Sequence, residues 1–381
     1  MTLHKLVAIA AASMLAGCAT LAAPAYHGPP SDHFDGKRFH NYVRARDAQI
    51  DDALRSTVRR ILHKNGSWPD WEEIVPDVPP RRVGGSALRV TFVNHATVLI
   101  QTDSMNILTD PVWSNRVSPV QWFGPKRHRP PGIRFEDLPP IDVVLLSHNH
   151  YDHLDLPTLK RLVAAHHPRI IAGLGNAAFL ARHGIPGAQD IDWWQTTSIG
   201  PALRVSGVPA QHWSARALND KWRTLWLGFV ITGSGGPVYF AGDTGFGEFL
   251  ATIRDRFAPF RFAILPIGPM RPVSAMKPRH MSAGDAVHAY ELLGVSSAMA
   301  MHFGTFRQGA DSDQEPLDSL RAAIDAAGSC ARGFWALRNG ESWRVPALES
   351  SAAISGCARS SAATGVAGEP RSRRVSPSGR P

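Results

Sequence analysis

The feature that most constrains the fold is a dense group of histidines directly after an apolar segment. Residues 143–147 form a continuous apolar run, as expected for a strand buried on both faces. Residues two apart at a strand end point the same way, so His148 and His150 can face one metal ion. The following turn can direct Asp152 and His153 towards a second ion. Since zinc in catalytic sites takes imidazole and carboxylate ligands, the pattern predicts a metal centre rather than a solvated His-rich loop.

Four ligands cannot fill two metal sites, so more ligands are expected downstream. Three candidates lie at the ends of predicted strands: His212, Asp243 and His302. The glycines on either side of Asp243 permit a sharp turn at the carboxylate. An isolated histidine at a strand end is more often a core residue, and an isolated aspartate a turn residue. Taken together, the three complete the ligand set.

Strand-like and helix-like segments alternate along the chain, which favours an α/β layered domain. Helices are predicted over residues 156–166 and 176–182, and Ser282 with Asp285 forms a capping-box signal for a helix that ends near Leu293. The predicted strands cover residues 88–93, 97–101, 106–109, 143–147, 203–208, 225–231, 238–241, 262–266, 297–302 and 334–337.

The two ends of the chain differ from its centre. Residues 1–17 combine a basic start with a short apolar run and lead into Cys18, as in a bacterial lipoprotein signal. The alternative is an ordinary cleaved signal with an incidental cysteine. Residues 18–84 are predicted to be a linker and N-terminal extension, 85–346 the hydrolase domain and 347–381 a disordered tail. Cys330 and Cys357 are expected to be unpaired or incidental rather than functional.

The motifs resemble the metallo-β-lactamase superfamily, and within it N-acyl phosphatidylethanolamine phospholipase D and its bacterial relatives. Further blocks that carry the resemblance are His95-Ala96-Thr97-Val98, Leu108-Thr109-Asp110-Pro111, Asp192-Trp193-Trp194 and His302-Phe303-Gly304-Thr305-Phe306. The resemblance implies an αββα sandwich with two Zn²⁺ ions. It assigns His148, His150 and His212 to the first ion, Asp152, His153 and His302 to the second, and Asp243 to both.

The resemblance also implies an activity: cleavage of N-acyl phosphatidylethanolamine to N-acylethanolamine and phosphatidic acid by a zinc-bound hydroxide. Asp152 would orient the hydroxide, and His280 would protonate the leaving group or contact the phosphate; the alternative for His280 is a surface histidine. Gln121 and Trp122 are the other candidate substrate contacts. Trp122 stands where the family commonly has tyrosine, and Asn94 and Asn339 also depart from the family pattern.

Two other functions remain open from the sequence. One is a metal-dependent lactonase or another hydrolase on the same fold, and the other is a non-catalytic envelope lipoprotein that binds zinc or a lipid. The net charge of +9 is compatible with a phosphorylated substrate, a membrane or nucleic acid. We expect a phospholipid or another phosphodiester as substrate, no nucleic acid, and a membrane anchor at a lipidated Cys18 on the periplasmic side of the outer membrane. The oligomeric state is left open.

Overall fold

The computed structural model describes residues 21–44, 46–50 and 66–348. Its strands form two seven-stranded sheets, ordered β14-β1-β2-β3-β4-β5-β6 and β13-β12-β11-β10-β9-β8-β7. In chain order the strands are β1 (Leu88–Asn94), β2 (Thr97–Thr102), β3 (Met105–Thr109), β4 (Val143–Leu146), β5 (Arg169–Gly173), β6 (Gln189–Ile191), β7 (Thr196–Ser198), β8 (Arg204–Val208), β9 (Gly228–Thr232), β10 (Val238–Phe240), β11 (Phe262–Pro266), β12 (Ser297–Met301), β13 (Phe334–Trp335) and β14 (Ser342–Val345).

Helices cover the outer faces of both sheets. They are α1 (Leu156–His166), α2 (Asn176–Arg182), α3 (Phe249–Phe257), α4 (Val273–Met276), α5 (Ala283–Leu293) and α6 (Glu315–Ala327), with short 3₁₀ turns at Phe135–Asp137 and Gly328–Ala331. The predicted bounds of α1 and α2 are confirmed, as is the capping box of α5, in which Ser282 and Asp285 bond each other's backbone N–H. Helices α3 and α6 were not predicted.

Strand β4 shows how the layers are built. Its side chains alternate, so Val143 and Leu145 belong to the core between the sheets. Val144 and Leu146 face the other way and share a second core with Leu159 of α1. The second sheet is covered in turn by α3 and α5, whose apolar side chains join the main core. The predicted αββα sandwich is therefore confirmed.

The strand directions bring several loops to one edge of the sandwich. Strands β3 to β6 run parallel, and so do β10 to β13. Strand β8 is antiparallel to β9, which is antiparallel to β10, so β8 and β10 point the same way. The loops that follow β8, β10 and β12 therefore start at the same end of the second sheet, and they meet the loop that follows β4.

The described part of the N-terminal extension packs against the sandwich. Phe34 and Phe39 belong to the main core, and the backbone N–H of Ala23 donates to Asp220 over 2.7 Å. The predicted signal, Cys18 and nearly all of the predicted tail lie outside the described residues. Cys330 is disulfide-bonded, so the prediction that it is unpaired is wrong. Within the described ranges, no helix has both the length and the apolar character needed to cross a membrane.

Candidate metal centre

The structure brings all seven predicted ligands into one buried cluster. His148, His150, Asp152 and His153 come from the loop after β4, and His212, Asp243 and His302 follow β8, β10 and β12. Their nitrogen and oxygen atoms fall into overlapping groups in which the atoms lie within 4.8 Å of one another. Donors from four loops thus converge on one region, although the loops are up to 154 positions apart in sequence, counting from His148 to His302.

Three histidines form one side of the cluster. The Nδ1 of His150 lies 2.8 Å from the Nε2 of His148 and 3.2 Å from the Nε2 of His212. The other ring nitrogen of His148 contacts the Ser147 hydroxyl at 2.9 Å, and that of His212 donates to the Arg279 carbonyl at 2.9 Å. Both Nε2 atoms are therefore left to present lone pairs, and with His150 they form a group that could hold a metal ion.

The other side of the cluster is richer in carboxylates. The Nε2 of His153 lies 3.1 Å from Asp152 Oδ2, and the Nε2 of His302 lies 3.5 Å from the same oxygen. Asp243 Oδ2 stands between the two sides, 3.1 Å from His302, 3.3 Å from His153, 3.6 Å from His212 and 3.9 Å from His148. A carboxylate in that position can contact cations on both sides.

Tight turns place two of these ligands. Gly242, immediately before Asp243, has φ of +59°, and a Cβ there would lie 2.7 Å from the Cβ of Ser147. Only glycine fits this approach of the β10 loop to the β4 loop, as the sequence predicted. His302 itself has a positive φ of 62°, and its backbone N–H donates to the carbonyl of His95 over 2.8 Å.

Asp110 orients residues of the cluster through hydrogen bonds. It is fully buried after β3 and accepts hydrogen bonds from the backbone N–H and hydroxyl of Ser147, at 2.7 and 2.6 Å, and from the Nδ1–H of His153 at 2.7 Å. A carboxylate that holds the far nitrogen of a metal-binding histidine fixes both its tautomer and its ring orientation. Asp110 belongs to one of the sequence motifs that carry the family resemblance, but no role was predicted for it.

Three further residues support the cluster from elsewhere in the chain. His95 Nε2 and Gln308 Nε2 approach Asp152 Oδ2 at 2.9 and 2.7 Å. Asn41, from the N-terminal extension, bonds the backbone of His212. In the sequence, His95 stands in a family block without an assigned role. Gln308 and Asn41 were not singled out, because neither stands in a ligand-like pattern.

Burial and mutual contact shape the charge of the cluster. Burial lowers the pKa of His212 to about 4, an effect that the carboxylate of Asp243 only partly opposes. Burial acts in the same direction on His302, but the carboxylates of Asp243 and Asp152 outweigh it and raise the pKa of His302 to about 9. The protons drawn to His302 occupy a place that a metal ion can take, since metal binding at histidine displaces protons.

The donor set fits metal ions. The Nε2 atoms of His153 and His302 and the Oδ1 of Asp243 are buried and have no hydrogen-bond partner among the described residues. Buried polar atoms of native proteins are nearly always satisfied, and a bound cation would satisfy these three. Histidine nitrogen with carboxylate oxygen is the donor set of catalytic zinc. The cluster is therefore able to bind metal.

A cavity of about 260 Å³ opens onto the cluster. His280 lines it and is 8% exposed, with its Nδ1 3.8 Å from Asp243 Oδ2, so the alternative of a surface histidine is wrong. Trp213 and Gln308 also line it. The lining does not include the two other predicted substrate contacts, Gln121 and Trp122. The side-chain amide of Gln121 is hydrogen-bonded to the backbone of Arg116. Trp122, on the same loop, is 80% exposed to solvent.

Comparison with known proteins places this fold and site in a family. The sequence model of the beta-lactamase superfamily domain matches residues 105–303. An N-acyl-phosphatidylethanolamine-hydrolyzing phospholipase D of Caenorhabditis elegans is 35% identical over 254 residues, which cover 63% of this chain and 71% of the relative. A metal-dependent hydrolase of Methanopyrus kandleri is 30% identical over 58% of this chain and 85% of its own length.

A solved structure supports the same fold. A metallo hydrolase of Ignicoccus hospitalis superimposes with a TM-score of 0.53 at 20% identity, over 68% of this chain and 99% of its own. The family match covers more than half of the 381 residues and includes all seven predicted ligands, from His148 to His302. The chain therefore belongs to the metallo-β-lactamase superfamily, as a metal-dependent hydrolase.

Proposed function

We propose that the protein hydrolyses phosphodiesters, and that its reaction is phospholipase D-type cleavage of N-acyl phosphatidylethanolamine to N-acylethanolamine and phosphatidic acid. The observation that carries the proposal is the position of Asp243, whose Oδ2 lies between two groups of ligand atoms. Two-metal sites are a recurring arrangement for phosphodiester hydrolysis. The phospholipid substrate is proposed because the Caenorhabditis elegans relative is an N-acyl-phosphatidylethanolamine-hydrolyzing phospholipase D.

The residues present would hold two zinc ions. His148, His150 and His212 would bind one ion, Asp152, His153 and His302 the other, and Asp243 would contact both. When bound, zinc ions lower the pKa of water and neutralise charge on a phosphoryl group. The protein fixes the ligands beforehand through Asp110 and the Arg279 carbonyl, so little reorganisation is needed on binding.

The cavity is suited to the reacting group of a lipid rather than to the whole molecule. Pockets that enclose drug-sized ligands measure roughly 300–1,000 Å³, and this cavity measures about 260 Å³. A phosphodiester and its nearest atoms fit this space, while acyl chains stay outside. His280 and Gln308 stand on the cavity wall, where their side chains can contact the phosphate oxygens.

A product assay tests the proposal. The purified chain without residues 1–17, loaded with zinc, would be incubated with N-acyl phosphatidylethanolamine in detergent micelles, and both products measured by mass spectrometry. The Asp243→Ala variant removes the carboxylate shared by the two sides and should form neither product. The matched control, Asp318→Ala, removes an exposed carboxylate on α6 and should keep full activity.

Two results would separate the alternatives. If neither product forms while the protein binds two zinc ions per chain, the lipid assignment is wrong. A panel of lactones and simple phosphodiesters would then decide between a lactonase and a different phosphodiesterase. If no member of the panel is turned over, the substrate of the hydrolase belongs to neither of these two classes.

A further inference from the structure

Three segments that reach the surface each supply a side chain to the wall of the metal-site cavity. They are residues 116–126, 213–221 and 269–278, which we call the mouth segments. Val117, Trp213 and Met276 are the lining side chains that they contribute. A molecule that occupies the cavity therefore contacts side chains of these segments.

The mouth segments also expose large apolar side chains to solvent. Trp122 and Phe123 are 80% and 61% exposed, Leu218 is fully exposed and Val273 is 60% exposed. The rings of Trp122 and Phe123 lie side by side, with centroids 6.2 Å apart. Single exposed apolar residues are ordinary, but several of them on the segments that line one cavity indicate a surface that contacts an apolar phase.

The first segment holds its aromatic side chains away from the core. Gln121 accepts from the backbone N–H of Arg116 and donates to its carbonyl, and the Arg116 guanidinium donates to the carbonyl of Gly124 over 2.5 Å. A backbone bridge also joins Arg116 to Lys126. These bonds close the loop below Trp122 and Phe123, so the two rings stand at its tip.

The charge of the mouth segments is positive. Lys126 and Lys277 are exposed, and Lys221 is half-buried. Asp220 is the single acidic residue in the three segments by sequence, and it is fully buried, where it accepts hydrogen bonds from backbone N–H groups. Lysines around exposed aromatic and aliphatic side chains complement an anionic lipid surface.

We propose that the mouth segments dock the protein on an anionic phospholipid bilayer, with Trp122 and Phe123 inserted among the headgroups and the cavity facing the membrane. The inference rests on the proposed function, since the cavity admits the phosphodiester while the acyl chains remain in the bilayer. It adds a membrane contact that does not depend on a lipid at Cys18. Aromatic side chains favour this interfacial depth, and each nearby lysine adds electrostatic attraction.

Vesicle sedimentation tests this docking without any turnover. The zinc-loaded chain from residue 18 onwards would carry Cys18→Ser so that no lipid is attached. It would be mixed either with neutral vesicles of phosphatidylcholine or with anionic vesicles that also contain phosphatidylglycerol. We expect the double variant Trp122→Ser/Phe123→Ser to partition at least about tenfold more weakly than the parent chain. The Lys126→Gln/Lys277→Gln variant should reduce binding mainly to the anionic vesicles and at low salt.

The matched control removes equally exposed apolar side chains elsewhere. Val75 and Trp335 are 88% and 51% exposed and line a different groove, so Val75→Ser/Trp335→Ser should bind vesicles like the parent chain. Equal binding by the mouth and control variants, or equal binding of the parent chain to neutral and anionic vesicles, would overturn the docking proposal. These vesicles contain no N-acyl phosphatidylethanolamine, so the result is independent of the product assay, and thermal unfolding checks that each variant is folded.

Discussion

Asn41 holds the backbone of His212 at both of its polar groups. Its amide nitrogen donates to the His212 carbonyl over 2.9 Å, and its amide oxygen accepts from the His212 N–H over 2.8 Å. The indole N–H of Trp226 donates to the same oxygen at 2.9 Å. Asn41 is 1% exposed and lies in the N-terminal extension, more than 40 positions before the first strand of the sandwich. The extension therefore forms part of the support of the metal centre.

Replacing Asn41 should weaken metal binding. In Asn41→Ala, the N–H and carbonyl of His212 lose their partners, and the loop that presents the imidazole is no longer fixed. Loss of such supporting contacts typically costs 10- to 100-fold in metal affinity, so we expect about tenfold weaker zinc binding. Competition with a chromophoric chelator measures the affinity.

Asn176→Ala is the matched control for this variant. Asn176 is an equally buried asparagine whose side chain also donates to backbone carbonyls, those of Gly173 and Leu225. Its loss should destabilise the fold by about 1–3 kcal/mol without changing zinc affinity. Equal affinity losses in the two variants would show that Asn41 acts only through general stability.

Asp110→Asn should disturb the metal centre more than Asn41→Ala. An amide cannot accept from the Ser147 N–H, the Ser147 hydroxyl and the His153 Nδ1–H at once, because it has one acceptor oxygen. We expect zinc affinity to fall by about 100-fold and the two sides of the cluster to be affected together. Zinc content after dialysis can be measured by plasma emission spectrometry. A zinc content equal to that of the wild-type protein would contradict this prediction.

The sequence predicted the parts of this site that follow local rules. The ligands stand directly after strands or in a turn, and apolar runs such as residues 143–146 mark those strands. Asn41 and Gln308 could not be found in this way, because their roles depend on contacts between residues 171 and 156 positions apart. Helix α6 was missed for a related reason, since only Pro316 and Leu320 of its residues are buried and its apolar stripe is sparse.

The contact between His33 and the sandwich should make stability depend on pH. The Nε2 of His33 lies 2.8 Å from Asp192 and its Nδ1 lies 2.5 Å from Asp32, while its ring stacks on Trp193. Burial lowers the pKa of His33, but the two carboxylates outweigh burial and the pKa is raised. The added stability is therefore fully present below the unfolded pKa of about 6.5 and is lost as the pH rises through the higher folded value.

Urea unfolding at a series of pH values measures this effect. Between pH 5.5 and 8.5, the free energy of unfolding should fall by on the order of 1 kcal/mol more in the parent chain than in His33→Gln. His183→Gln is the control, because His183 bonds a backbone carbonyl rather than a carboxylate. A His33→Gln profile parallel to that of the parent chain would count against the interaction.

We propose, from the sequence, that Cys18 is lipidated after export to the bacterial envelope. Cells that express the full chain with labelled palmitate should yield a labelled, membrane-bound protein. The Cys18→Ser variant should lose the label, because no sulfur remains at the cleavage position, whereas Cys357→Ser should retain it. A soluble, unlabelled periplasmic protein from the parent gene would instead indicate an ordinary cleaved signal.

The role of His280 can be decided by comparing leaving groups. His280 lines the cavity, its Nδ1 has no hydrogen-bond partner among the described residues, and burial lowers its pKa despite the nearby Asp243 carboxylate. A neutral imidazole donates a hydrogen bond to phosphate more readily than it protonates an alkoxide. We therefore expect His280→Ala to reduce turnover about tenfold for alkyl and nitrophenyl phosphodiesters alike, and His280→Gln, which keeps an N–H donor, to recover part of it. Since a nitrophenolate leaves without protonation, a loss of about 10²- to 10⁴-fold confined to the alkyl substrate would instead make His280 the general acid.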